Sequence, residues 1–144
     1  MSASNACENS LLLLMYNNTG FALIGDATGL RGSTTAGSLY VSLHTADPGE
    51  AGSQTTNEAA YTNYARVAVA RSGAGWTVST NTVTNAAAVT FPACGASGAT
   101  ITHFGVGTDT SGAGVLLFSG TCSLVVSTGI TPSFAIGQLS NSAD

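Results

Sequence analysis

The sequence predicts an all-β fold, a β-sandwich or jelly roll with one short N-terminal helix. Three observations carry this. Short apolar–polar alternations recur from Ser38 onward, with turn signals about every 8–12 residues. Helical spacing is found only near the start. No helical pattern separates the later strands, so the order lacks the βαβ units of a parallel sheet.

Residues 1–6 read as a loose arm. From Cys7 to Asn18, Leu11, Leu12, Leu14 and Met15 supply the apolar side of a helix. Ser4 or Asn5 caps it, Glu8 suits the first-turn dipole, and Asn17-Asn18-Thr19-Gly20 stops it. Phe21 to Thr35 is Gly-rich and reads as loop. Ser38 to Thr45 alternates as a strand, with Leu39, Val41 and Leu43 on one face and Tyr40, Ser42 and His44 on a polar face. Ala46-Asp47-Pro48-Gly49 turns the chain, and Glu50 to Asn63 is a long polar connection.

Further strands follow at Tyr64–Arg71, Trp76–Ser79, Thr82–Asn85, Ala88–Phe91 and Ala99–Gly107. After a turn-rich loop over residues 108–114 come Val115–Ser119 and Cys122–Ser127, and Phe134–Leu139 closes the chain. The organisation is therefore an arm and short helix over residues 1–20 and a jelly-roll-like β-sandwich over residues 21–144.

The length, 144 residues, suits one ordinary domain, and 44% hydrophobic residues support a core. Only 7% of residues are charged, against about 25% in typical soluble domains. Three arginines (Arg31, Arg66, Arg71) and no lysine leave a net charge of −4. Scattered arginines cannot grip a polyanion, so nucleic acid is not an expected partner. The longest apolar run, Leu11 to Tyr16, falls far short of the roughly 20 residues of a membrane span. With Glu8 and no basic residue before it, the run also makes a poor signal peptide. Serine and threonine number 37, beside 18 glycines. Such a surface is polar but nearly uncharged, as expected of a protein covered by other subunits.

The catalytic inventory is thin. His44 and Asp47 lie three residues apart, but no Gly-x-Ser-x-Gly elbow selects a nucleophile among the hydroxyls. His44 reads as a surface or interface histidine and His103 as a hydrogen-bonded sheet residue. Asp47-Pro48-Gly49-Glu50 offers two carboxylates, too few oxygens for calcium. Gly25-Asp26-Ala27-Thr28-Gly29 lacks the Gly-Lys-Ser/Thr end of a phosphate loop. Trp76 reads as a core residue. Cys7, Cys94 and Cys122 show neither zinc spacing nor a disulfide framework. No cofactor, metal or enzymatic activity is expected.

Four blocks carry a resemblance: Leu39–Gly52, Tyr61–Arg66, Val89–Pro92 and Thr102–Val106. In this order they resemble a family of small tailed-bacteriophage virion proteins, often labelled tail-fibre proteins. The resemblance covers residues 10 to 140. It implies a compact virion structural protein without chemistry. The expected role is a capsid cement or decoration protein on the capsid exterior, assembled in the host cytoplasm. Its partners would be the major capsid protein and itself, as a dimer or trimer. The alternative is a tail-fibre or tail-tip component that binds the host surface, with exposed aromatics at Tyr40, Tyr61 and Trp76. The candidate interface residues are Arg66, Tyr64, His44, Asp47 and Arg71. The N-terminal arm and the Glu50–Asn63 connection are the segments expected to reach neighbours. The tail Gln138–Asp144 departs from the family's ending, which bears on the length of the last strand.

Overall fold

The structure, a computed structural model, describes residues 3–26 and 28–143. Part of the expected arm (Met1, Ser2), one residue of the Gly-rich loop (Ala27) and the tail's Asp144 lie outside these. The chain divides into two units. One comprises Met1–Ser38, Ala70–Ala87 and Ala135–Asp144; the other comprises Leu39–Val69 and Ala88–Phe134.

The first unit begins with helix α1, Asn5–Asn17. Asn5 and Ala6, expected in the arm, are helical because Ser4 is the cap and its side chain accepts from the Cys7 N–H. Asn18, at φ 57°, closes the helix in the left-handed region that asparagine tolerates. Glu8, Leu12 and Tyr16 are buried, one residue per helical turn along a single stripe.

That stripe packs against the three-stranded sheet β3–β4–β9, made of Trp76–Ser79, Thr82–Asn85 and Ser140–Ser142. The Tyr16 and Trp76 rings meet edge to face, centroids 4.8 Å apart. The Tyr16 hydroxyl accepts from Asn141 Nδ2 at 2.8 Å. Burial pushes the Tyr16 phenol far above its ordinary pKa, so it stays neutral. Asn85, fully buried, donates to the Ala87 and Ala135 carbonyls and accepts from the Leu139 N–H. This ties the 135–139 turn to β4 and delivers β9 alongside it.

Arg71 closes the open end of α1. No basic residue stands in the helix's last turn. Arg71 supplies the missing cation, donating from Nε to Met15 O and from Nη2 to Leu14 O, both at 2.6 Å. Carbonyls that a helix terminus leaves orphaned are thereby satisfied, and the charge complements the dipole. Arg71 Nη1 also reaches Ser33 Oγ and Ala36 O. We expect Arg71→Met to cost about 1.5–3 kcal/mol of stability in urea unfolding, the scale of lost charged hydrogen bonds. A cost near zero would contradict this capping role.

The second unit rests on a four-stranded sheet in the order β2–β1–β6–β7: Val67–Ala70, Ser38–His44, Ala99–Gly107 and Leu116–Val126. β1 and β6 pair antiparallel, as do β6 and β7. A two-stranded sheet, β5 (Val89–Thr90) with β8 (Ser133–Phe134), packs on it through the Phe104 and Phe134 rings. Tyr61, Tyr64, Phe91, Phe134 and Phe104 form a continuous aromatic chain with centroids 5.3–6.3 Å apart.

The all-β class with one helix stands. Among the described residues the strands group as four, three and two, and this grouping does not by itself establish a jelly roll. Four local readings change. Tyr64, Ala65 and Arg66 precede strand β2 instead of belonging to it. Val115–Ser119 and Cys122–Ser127 form parts of one strand, β7, running through Ser119-Gly120-Thr121. Gly120 is no turn there: a Cβ on it would lie 2.7 Å from the Phe104 ring, so glycine lets the ring cover the strand. The closing strand is β9, beyond the expected Phe134–Leu139. The Glu50–Asn63 connection is fastened, not free, because Thr45 N–H donates to Asn57 O and Ala59 N–H to Leu43 O.

Candidate interaction surface

Two of the expected interface residues form an internal knot. Arg66 donates from Nε and Nη2 to both Glu58 carboxylate oxygens, at 2.7 and 2.8 Å. This two-pronged match suits the planar guanidinium. Its remaining donors reach the carbonyls of Asp109 at 2.8 Å and Gly112 at 2.7 Å. The Tyr64 hydroxyl donates to Glu58 Oε1 and accepts from the Leu43 N–H. The Arg66 side chain is 2% exposed and that of Glu58 15%. The bound carboxylate raises the guanidinium's pKa above the ordinary arginine range. Burial drives the Tyr64 phenol far above its own. Arg66 and Tyr64 thus join the 58, 64–66 and 109–112 segments of their own chain.

Gln54, fully buried, completes the knot. Its Nε2 donates to Asp109 O and its Oε1 accepts from Asp109 N–H. Gly107 and Gly114 make room: a Cβ on either would lie 2.2 Å from the Gln54 amide.

His44 is a correction. Alternation places it on a polar strand face as a surface or interface histidine, yet both His44 and Ser42 are fully buried. β1 is an interior strand of its sheet, flanked by β2 and β6, and both of its faces are covered. His44 Nδ1 donates to Thr56 O at 2.8 Å, which leaves Nε2 to accept from Ser42 Oγ, also at 2.8 Å. A Cβ on Gly105 would lie 2.7 Å from both Nε2 and Ser42 Oγ. The pair resembles a base and a hydroxyl nucleophile, but no substrate reaches it.

Desolvation lowers the His44 pKa, outweighing the bond to Thr56 and the Glu58 charge that raise it. The sign follows from proton counts. Below the unfolded value of about 6.5, the unfolded chain takes up a proton that folded His44 refuses. His44 therefore lowers stability as pH falls through that value towards the folded pKa. Melting temperature should drop between pH 7 and 5.5, and His44→Asn should flatten that slope. An unchanged slope in the variant would contradict the assignment.

Arg71, described above, serves α1. Asp47 is exposed, and its Oδ1 accepts from the Gly49 N–H at 2.8 Å, setting the turn. Asp47 and Glu50 rim an open groove of about 480 Å³ whose other wall is Leu116, Leu117, Phe118 and Ser119. Of the five expected interface residues, Asp47 is the exposed one, and Tyr64 and Arg66 line a second, smaller concavity of about 290 Å³. Of the aromatics expected on a host-binding surface, Tyr61 and Trp76 are buried and Tyr40 is half-buried. His103 lies on β6, its Nδ1 2.9 Å from Thr102 Oγ1.

Among the described residues, no group of three His, Cys, Asp or Glu could hold a metal ion. No helix among them is long and apolar enough to cross a membrane. The three cysteines are free thiols, and burial pushes the Cys122 thiol up to about 11.

The sequence matches the family described as podophage GP4 fiber I protein gp80 over residues 2–142. The chain belongs to that family. It is therefore a phage virion structural protein, as the block resemblance implied. No curated protein matches the chain. Within this gp80 family member, the Arg66–Glu58–Tyr64 knot joins distant segments of the chain, and the Asp47 groove is an open concave surface.

Proposed function

We propose that this chain is a structural subunit of a podophage fibre, acting through contacts with other virion subunits and not through catalysis. Family membership over residues 2–142 carries the reading. The site chemistry agrees with it. The paired groups that resemble catalytic machinery are sealed inside the protein, and 7% charged residues leave a surface suited to being covered by neighbours. Tyr61 and Trp76 are buried, so sugar stacking on them is no part of the proposal. The competing placement is a capsid cement protein bound to the major capsid protein, and the family's description favours the fibre.

A phage deleted for this chain tests the proposal. The expected particle has a stable, genome-filled head and a missing or shortened appendage, with loss of adsorption. Heads that burst or leak while adsorption stays normal would overturn the fibre reading in favour of cement.

A further inference from the structure

Among the described residues, two of the three arginines are used within the fold. Arg66 is bound by Glu58, and Arg71 by the end of α1. Asp26 holds its own turn through Thr28 and Gly29. Arg31 is different. It is exposed, and the single ion pair of the described residues, Arg66–Glu58, does not include it. Leu30 beside it is 46% exposed and Leu23 is 80% exposed. Arg31 with its neighbour Leu30 is a cationic and apolar pair, in a chain of net charge −4.

The groove at Asp47 has the complementary character. Two exposed carboxylates, Asp47 and Glu50, stand on its rim, and half-buried Leu116, Leu117 and Phe118 line it. An arginine lays its methylene stem on apolar surface while its guanidinium seeks carboxylate oxygens. The groove offers both at once. We propose that it receives Arg31, with Leu30, from a second copy of this chain.

The two surfaces are unlike, so the contact is head-to-tail, and each copy carries one donor and one acceptor. Such contacts generate rings when the rotation closes and linear arrays when it does not. The proposal concerns the protein alone and is independent of where in the virion it sits.

Sedimentation velocity over a concentration series of the purified full chain tests it. Wild type should associate. Arg31→Glu should weaken association about tenfold or more, as like charges then face each other. Asp47→Asn with Glu50→Arg should do the same, the asparagine keeping the side-chain oxygen that accepts from Gly49. An equimolar mixture of the two variants should associate again, because each joint between unlike variants regains opposite charges. Should either variant melt well below wild type, Arg31→Gln or Glu50→Gln replaces it, with a smaller weakening expected. Wild type that stays monomeric at its highest soluble concentration would overturn the proposal. So would variants that associate like wild type, or a mixture that fails to recover.

Discussion

Replacing Arg66 by Ala is expected to lower stability by about 3–5 kcal/mol, the cost of leaving one partner of a buried ion pair alone. The Glu58 carboxylate would lose its guanidinium partner with the side chain only 15% exposed, and the carbonyls of Asp109 and Gly112 would lose their donors. Arg66→Lys should also be costly, because an ammonium cannot bridge both carboxylate oxygens and two carbonyls in one plane. Removing both charges, with Arg66→Met and Glu58→Leu, should cost less than Arg66→Ala alone. Urea unfolding of these variants, with Arg66→Met and Glu58→Leu alone, completes a double-mutant cycle. A double variant as costly as the sum of Arg66→Met and Glu58→Leu, or costlier, would contradict the coupling described.

Trp76→Ala should cost about 3–5 kcal/mol, the range for deleting a buried large aromatic. Trp76 is 1% exposed, and its ring packs against Tyr16 at the junction of α1 and β3. Trp76→Phe should cost clearly less. The indole Nε1 is buried without a hydrogen-bond partner, so Phe removes an unsatisfied donor while keeping a ring against Tyr16. Equal losses for Phe and Ala would mean that the indole nitrogen has a partner after all.

Much of the fold was legible because local signals agreed with the tertiary structure. α1 carries its own caps at Ser4 and Asn18. β6 occupies Ala99–Gly107 as read, since its apolar alternation and its flanking turn residues coincide. What escaped depends on distant partners. Ser140-Asn141-Ser142 has no apolar alternation and becomes a strand only beside β4. Tyr40, Ser42 and His44 alternate as a solvent-facing set, but β1 is flanked on both sides, so Ser42 and His44 must satisfy each other inside.

The candidate site was less legible than the fold. Asp47 was singled out in its turn, and the groove beside it depends on Leu116–Phe118, which in sequence are only a strand. Arg66 and Tyr64 stand out in the sequence, but their shared partner, Glu58, lies in a long polar connection that carries no local signal of it. No periodicity links residues 58, 66 and 109, so the knot that joins them left no local trace.

The central claim is that this podophage family member is a fibre subunit. The most direct test separates heads from tails of purified virions and counts copies of this chain in each fraction. The account predicts a small, symmetry-related number of copies in the tail fraction and none in the heads. Hundreds of copies on the heads would contradict it and assign the chain to the capsid surface.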